Sequence, residues 1–311
     1  MSDPLNDFDG LRLPATSLRP RQAFATDLQV RVHRRLGLGE PAGHRRMPKA
    51  AGVEYEIGGL DGGEEVLLMH AGTATAYRPL LKERALAERY RLVRYHRRGY
   101  AGSDGFDGVA TIERHVEDAI ALLDHLAIER AHVVGHSGSG IIALQLALDA
   151  PGRVRSLVLE EPALGPSDPR VGPVMREAIA IAVDRYRTGD AAGAMEMWMR
   201  EISPTWRTDL ARTVPCGPQQ TIDDAAAFFE DVPPTIEWPF DEDAIARLMM
   251  PILYVLAENS RPGHRDSLAR IQRLASQTES VLIPGTTHML HTDRPDLVGV
   301  ELAAFFARHD H

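Results

Sequence analysis

Cysteine is almost absent from this chain: Cys216 is alone among 311 residues. No disulfide can form within one chain, so a core must hold the fold, and a reducing compartment is expected. The length allows this, since a chain of this size buries about 75% of the surface its unfolded form exposes. Long apolar runs are also missing. None approaches the roughly 20 residues that span a bilayer, and none resembles the centre of a secretory signal. An excess of positive charge is lacking too. Lys and Arg number 35 against 44 Asp and Glu, a net charge of −9, which disfavours nucleic acid and anionic membrane as partners. The expected setting is the cytoplasm and the expected partner a small-molecule substrate, with no reading of oligomeric state. A 44% hydrophobic and 25% charged composition excludes a disordered, collagen-like or coiled-coil chain.

What charge there is lies unevenly. Residues 1–50 carry eight Arg and Lys49 against five acids, so this stretch is +4 and the remainder −13. It also holds Pro4, Pro14, Pro20, Pro41 and Pro48 and few apolar runs. A basic, weakly structured extension is expected over 1–50. Its arginines are those of a transit peptide, but Asp3, Asp7 and Asp9 are not. An exposed arm or an over-extended start fits better than a targeting role.

From about Gly52 strands and helices alternate. Short apolar, β-branched runs predict strands at Val53–Ile57, Val66–His70, Leu92–His96, His132–Gly135, Val154–Glu160, Ile252–Ala257 and Ser280–Pro284. Helical periods fall at Pro79–Tyr90, Thr111–Ala127 and Ile141–Ala150. The clearest has Ile112, Val116, Ala119, Ile120, Leu123 and Leu126 on one stripe, with Thr111 placed to cap it. Strands dense in apolar residues imply helices on both sheet faces. The expectation is an α/β fold with a doubly wound, mostly parallel sheet. Between Pro162 and Pro251 the alternation stops. Helices are expected there at Val171–Tyr186, Ala191–Ile202 and Thr221–Glu230. All three tryptophans, Trp198, Trp206 and Trp238, lie in this stretch. So apolar an insertion must bury a face, either in a small core of its own or as a cap over a pocket. The implied organisation is a core of 51–162 and 250–311 interrupted by a helical cap at 163–249.

The sharpest motif is Val133-Val134-Gly135-His136-Ser137-Gly138-Ser139-Gly140, a strand running into a helix through a serine among small residues. A nucleophile on such a tight turn stands clear of the sheet edge. The helix N-terminus offers free N–H groups where an oxyanion would form. The glycine spacing does not fit a dinucleotide fingerprint. Nor do His132 and His136 make a metal set, because no carboxylate completes them. Cys216 has no base near it in sequence and reads as incidental. Neither a cofactor nor a metal is expected.

Three more landmarks accompany this turn in order: Leu67-Leu68-Met69-His70-Ala71-Gly72, Tyr95-His96-Arg97-Arg98-Gly99-Tyr100-Ala101-Gly102-Ser103 and Ile283-Pro284-Gly285-Thr286-Thr287-His288. Together the four resemble the α/β-hydrolase family over roughly Gly52 to Arg308. The resemblance implies an α/β-hydrolase fold with a helical cap and a serine nucleophile. Ser137 would be that nucleophile and His288 the general base, with His291 a nearby competitor. The backbone N–H groups of Gly72 and Gly138 would form the oxyanion hole. Ala71 and Ser139 stand where the family usually has glycine. His70 and His96 would hold loops. The family's usual acid position falls on Asn259 and Ser260, which carry no charge. Glu258, Asp266 and Glu161 are the substitutes. Glu161 closes a strand from which some family members, many haloalkane dehalogenases among them, draw their acid, and it is favoured here. A serine rather than an aspartate nucleophile implies acyl transfer to water: hydrolysis of an ester, lactone, thioester or C–C ketone. Transfer to another acceptor shares the same acyl-enzyme. A non-hydrolytic ligand-binding or sensor protein on this fold is the rival, motivated by the uncharged acid position.

Overall fold

The computed structural model describes residues 47–164 and 172–310. Residues 1–46, most of the expected extension, lie outside the described residues, as do 165–171 and 311. One eight-stranded sheet runs through what is described, in the order β1-β2-β4-β3-β5-β6-β7-β8. Its strands are β1 (Lys49–Ala50), β2 (Val53–Gly59), β3 (Glu64–Met69), β4 (Tyr90–Tyr95), β5 (Ala131–His136), β6 (Val154–Glu160), β7 (Ile252–Ala257) and β8 (Thr278–Ile283). β2 is antiparallel to β1 and β4, and every other neighbouring pair is parallel. The two-residue β1, inside the stretch expected to be weakly structured, was not legible in sequence.

Strand β3 illustrates why the sheet is covered twice. Val66, Leu67, Leu68 and Met69 are all fully buried. Leu67 and Met69 join one core cluster, Val66 and Leu68 the other. Side chains alternate across a strand, so one buried on both faces is apolar throughout. The first face is covered by α2 (Ile112–His125) and α3 (Gly138–Asp149), the second by α1 (Arg84–Ala87) and the C-terminal α12 (Pro295–Ala307). Helix α2 starts where its cap stands, with Thr111 Oγ1 accepting from the Arg114 N–H at 3.1 Å. The continuous helix expected over Pro79–Tyr90 is broken instead at Glu83, whose backbone is extended (φ −71°, ψ 120°). Leu80 and Leu86 are both fully buried. Six residues apart, they would face different sides of one helix, and the break turns both inward.

Between β6 and β7 lie α4 (Gly172–Arg187), α5 (Ala191–Ile202), α6 (Trp206–Thr213), α7 (Gly217–Asp223), α8 (Ala225–Glu237) and α9 (Glu242–Ile245). Val171, the expected start of the first helix, lies outside the described residues. Met195, Trp206 and Leu210 are buried. Helix α8 departs from expectation. It runs to Glu237 through Pro233 and Pro234. Neither proline has an N–H for the carbonyl four residues back, so the Phe229 and Glu230 carbonyls lose those helical partners, and the helix ends within a turn of the second proline. Trp238 then donates from Nε1 to Gln145 Oε1 at 2.8 Å, fastening the end of the insertion to α3. After β7 come α10 (Pro262–Leu274), α11 (Leu290–Asp293) and α12.

Because β3, β5, β6, β7 and β8 run parallel, their carboxyl ends share one sheet edge, the edge where open α/β sheets bind ligands. No helix among the described residues is long and apolar enough to cross a membrane.

The core makes a direct prediction. Leu122 is fully buried in α2, so Leu122→Ala should cost about 2–5 kcal/mol through lost burial and the cavity left behind. Urea unfolding measures it. Exposed Glu113 on the same helix should tolerate alanine within about 0.5 kcal/mol.

Candidate active site

Ser137 caps α3 with φ 52° and ψ −119°, a left-handed φ that non-glycine residues rarely adopt. Its neighbours show why the turn needs small residues. A Cβ on Gly135 would come within 2.5 Å of the Ser139 carbonyl oxygen, and one on Gly140 within 2.6 Å of Pro162 Cβ. Ser139, in a place the family usually gives to glycine, is buried and donates from Oγ to the His70 carbonyl. The Gly138 N–H opens α3, where no intrahelical carbonyl reaches it.

His288 and Glu161 meet. His288 Nδ1 lies 2.7 Å from Glu161 Oε2, and Oε1 accepts from the Ala257 N–H at 2.8 Å. Glu161 is fully buried, with a left-handed φ of 43°. The other candidate acids go elsewhere. Glu258 Oε2 accepts from the Gly285 N–H at 2.8 Å, and Asp266 is exposed on α10. His291 is turned away from the cavity, fully buried, with Nδ1 2.8 Å from Glu160 Oε2. Tyr77 OH donates to that same oxygen at 2.9 Å. His136 Nε2 lies 2.9 Å from the His288 carbonyl and donates to it, tying the His288 loop to β5.

Ser137, Gly138, Gly72 and His288 line one cavity of about 720 Å³. Its roof is the insertion: Trp198, Met199 and Ile202 from α5, Phe228 and Val232 from α8. Phe228 lies so close over Gly72 that a Cβ there would sit 2.6 Å from its Cδ2. Trp206 and Trp238 do not line this cavity; they are buried elsewhere.

The alpha/beta hydrolase family model matches residues 66–299, three quarters of the sequence. The chain belongs to the alpha/beta hydrolase family. It is 40% identical over 111 residues to a Variovorax paradoxus protein assigned as the carbamate hydrolase RutD, a match covering 34% of this chain and 41% of that protein. The enol-lactonase of Burkholderia xenovorans is similar in structure, with a TM-score of 0.71 at 18% identity, over 83% of this chain and 98% of that one. A Thermogutta terrifontis esterase superposes with a TM-score of 0.69 at 20% identity, covering 83% and 94%.

Within this family frame one neighbour escaped the sequence reading. His264, at the start of α10, stacks on His288 with ring centroids 4.9 Å apart and planes 21° apart. Its Nε2 is 3.9 Å from Glu161 Oε2. The signal was faint: a lone histidine in Arg-Pro-Gly-His, past the usual acid position. Glu161, His264 and His288 bring ligand-capable atoms within 4.8 Å of one another. Both Glu161 oxygens are already engaged, however. Nearly parallel stacked rings aim their lone pairs along separate planes rather than at one point, so this arrangement suits a hydrogen-bonded triad better than a tetrahedral ion.

The loop carrying Gly72 is held from below. His70 Nδ1 lies 2.6 Å from the Ala71 carbonyl, and Nε2 accepts from the Arg97 N–H at 2.9 Å. Arg97 donates from Nε to the His70 carbonyl at 2.9 Å and from Nη2 to the Ala71 carbonyl at 3.1 Å. Its Nη1 donates to Asp231 Oδ2 of α8 at 2.6 Å, and His115 Nε2 lies 2.9 Å from Asp231 Oδ1. His96 lies between Arg94 and Glu54, 3.1 and 3.3 Å away.

Burial also sets the protonation of this region. It lowers His288 and His291 to about 3 and His264 to about 4, and holds His70 and His136 well below the usual histidine range. These rings are neutral in the folded protein near neutrality, whereas unfolded histidines titrate near ~6.5. Their contribution to stability is therefore complete above that value and is lost as pH falls toward the folded values. Glu160 and Asp224, each raised to about 7 by burial, act in the opposite sense, but the five histidines outnumber them. The urea midpoint should therefore fall between pH 7.5 and 5.5. A midpoint that is flat or rises on acidification contradicts this assignment.

Proposed function

We propose that this chain is a serine hydrolase that cleaves a small, largely apolar carbonyl substrate: an ester, lactone, thioester or C–C ketone. The observation that carries the reading is the 2.7 Å contact of His288 with a buried carboxylate, beside a serine on a strained turn in the same cavity. Ser137 Oγ attacks the carbonyl carbon while His288 Nε2 takes its proton. Glu161 accepts from Nδ1–H and stabilises the imidazolium that forms. The N–H groups of Gly138 and Gly72 receive the oxyanion. As the tetrahedral intermediate collapses, His288 returns the proton to the leaving group and the acyl group stays on Ser137. Water, deprotonated by His288, then attacks the acyl carbon, releasing the acid and restoring the Ser137 hydroxyl.

Ser137 Oγ has no hydrogen-bond partner among the described residues, in keeping with catalytic bonds that tighten only once substrate is bound. The names of the three proteins compared above support this reading, each being that of a hydrolase of a carbonyl compound. The rival ligand-binding reading rested on an uncharged acid position, and the buried Glu161 carboxylate just after β6, 2.7 Å from His288, supports the hydrolase reading over it.

Labelling with a fluorophosphonate tests the reading. A covalent adduct on Ser137, absent in Ser137→Ala, is expected, and that variant should lose about 10⁶ in turnover. An unlabelled wild type would defeat the proposal. Glu161→Gln should lower turnover by about 10⁴, because an uncharged partner cannot stabilise the imidazolium. Glu258→Gln should leave turnover within about threefold of wild type, since among the described residues its carboxylate binds only the Gly285 turn. Equal activity in these two variants would remove Glu161 from the triad.

A further inference from the structure

In the proposed mechanism His288 works at both ring nitrogens: Nδ1 faces Glu161 and Nε2 serves Ser137. The Nδ1 contact restrains one atom of the ring. It leaves open the tilt of the plane, and with it the reach of Nε2. His136 Nε2 donates to the His288 carbonyl at 2.9 Å, which anchors the backbone and not the ring. The His136 ring lies 4.6 Å from that of His288 but is tilted by 42°. His264 is the ring that lies nearly parallel to it, with centroids 4.9 Å apart and planes 21° apart. His264 is itself held from both sides of its backbone. Its N–H donates to the Arg261 carbonyl at 3.1 Å in the first turn of α10. Its carbonyl accepts at 2.9 Å from the hydroxyl of Tyr254, a fully buried residue of β7. The side chain is 12% exposed and lines the cavity. Its Nε2 stays 3.9 Å from Glu161 Oε2, beyond hydrogen-bond reach, so it does not take the carboxylate from His288. Glu161, His288, His136 and Arg261 are the charged and titratable groups around it, and burial lowers it to about 4. Near neutrality the ring therefore brings no charge to oppose an imidazolium beside it.

We propose that His264 is a positioning residue, whose flat face sets the plane of the His288 ring so that Nε2 meets the Ser137 hydroxyl. The inference rests on the serine-hydrolase reading and adds a residue to it. His264 acts through His288 and touches no reacting atom. Misplacing a reacting group by about 1 Å can cost about 10²-fold in rate, so a wall that fixes ring tilt has a measurable effect.

The test is saturable labelling of Ser137 by an alkyl fluorophosphonate. Ser137 Oγ bonds to phosphorus, fluoride leaves and the hydroxyl proton passes to His288. The limiting rate kinact therefore reads the base, and the half-saturating concentration KI reads the cavity. His264→Leu fills the space without a flat face. It should lower kinact about tenfold, with KI within about threefold of wild type. His264→Phe returns a flat, uncharged ring and should restore kinact to within about threefold of wild type. Both replacements are apolar and near in volume, so the fold should tolerate them. Wild-type kinact in His264→Leu, or a change confined to KI, would overturn the proposal and leave the hydrolase reading standing. So would a kinact in His264→Phe tenfold or more below wild type, which would show that a flat face is not what His264 supplies. A wild type that does not label would overturn the hydrolase reading and this inference with it.

Discussion

A fully buried carboxylate must be paired, and in this chain the pairing of Glu161 organises the site. One oxygen takes the Ala257 N–H of β7 and the other faces His288 beyond β8. The backbone reaches this position only with a left-handed φ, a strain of about 1–3 kcal/mol that surrounding structure must offset. Part of that support is Pro162. It follows Glu161 and packs so tightly on Gly140 that no side chain fits at residue 140. The end of β6 thus dictates the size of residues on the turn after β5. Ser137 N–H donates to the Glu160 carbonyl at 3.0 Å and Ala163 N–H to the Ser137 carbonyl at 2.9 Å, closing the same junction. Adjacent residues serve opposite sides: Glu161 meets His288, while Glu160 turns to Tyr77 and His291.

A second buried charge ties the insertion to the core. Arg97 cannot lose its charge, so its place beneath the Gly72 loop requires an anion, and Asp231 of α8 supplies it. The guanidinium that holds the His70 and Ala71 carbonyls is therefore compensated from the element that also carries Phe228 and Val232 into the cavity. Breaking such a buried pair by removing one partner costs about 3–5 kcal/mol. The roof is set by an ion pair as well as by apolar contact.

Much of this was legible in the sequence because strands covered on both faces must be apolar along their length. Val154–Glu160 and Ile252–Ala257 match to the residue, and the others lie within two or three residues of expectation. The elbow was legible because only small residues let a strand and helix approach that closely. Glu161 was reached through resemblance, since no local pattern says which carboxylate a distant histidine will meet. His264 was missed for that reason: ring stacking between residues 264 and 288 is a tertiary fact. The path of α8 through Pro233 and Pro234 was hidden because a proline past the first turn removes a bond to the carbonyl four residues back and ordinarily marks a helix end. The break at Glu83 answers to two leucines seeking one core, which periodicity within a single helix does not register.

The departure from the family pattern at Ser139 follows from the same geometry. What the turn requires is clearance at particular points, and those points are Gly135 and Gly140, where a Cβ would strike backbone or proline within 2.6 Å. Ser139 shares the crowded segment, but its side chain leaves along a different direction, toward the loop after β3. There its hydroxyl donates to the His70 carbonyl, the oxygen that also accepts from Arg97 Nε. A glycine at 139 would leave that carbonyl with the arginine alone. The serine adds a strut between the Ser137 turn and the loop bearing Gly72, the two segments whose N–H groups would receive one oxygen atom in the proposed mechanism. Preorganised donors act on developing charge without reorganising, so a buried bond that fixes their separation would serve the proposed chemistry without touching substrate.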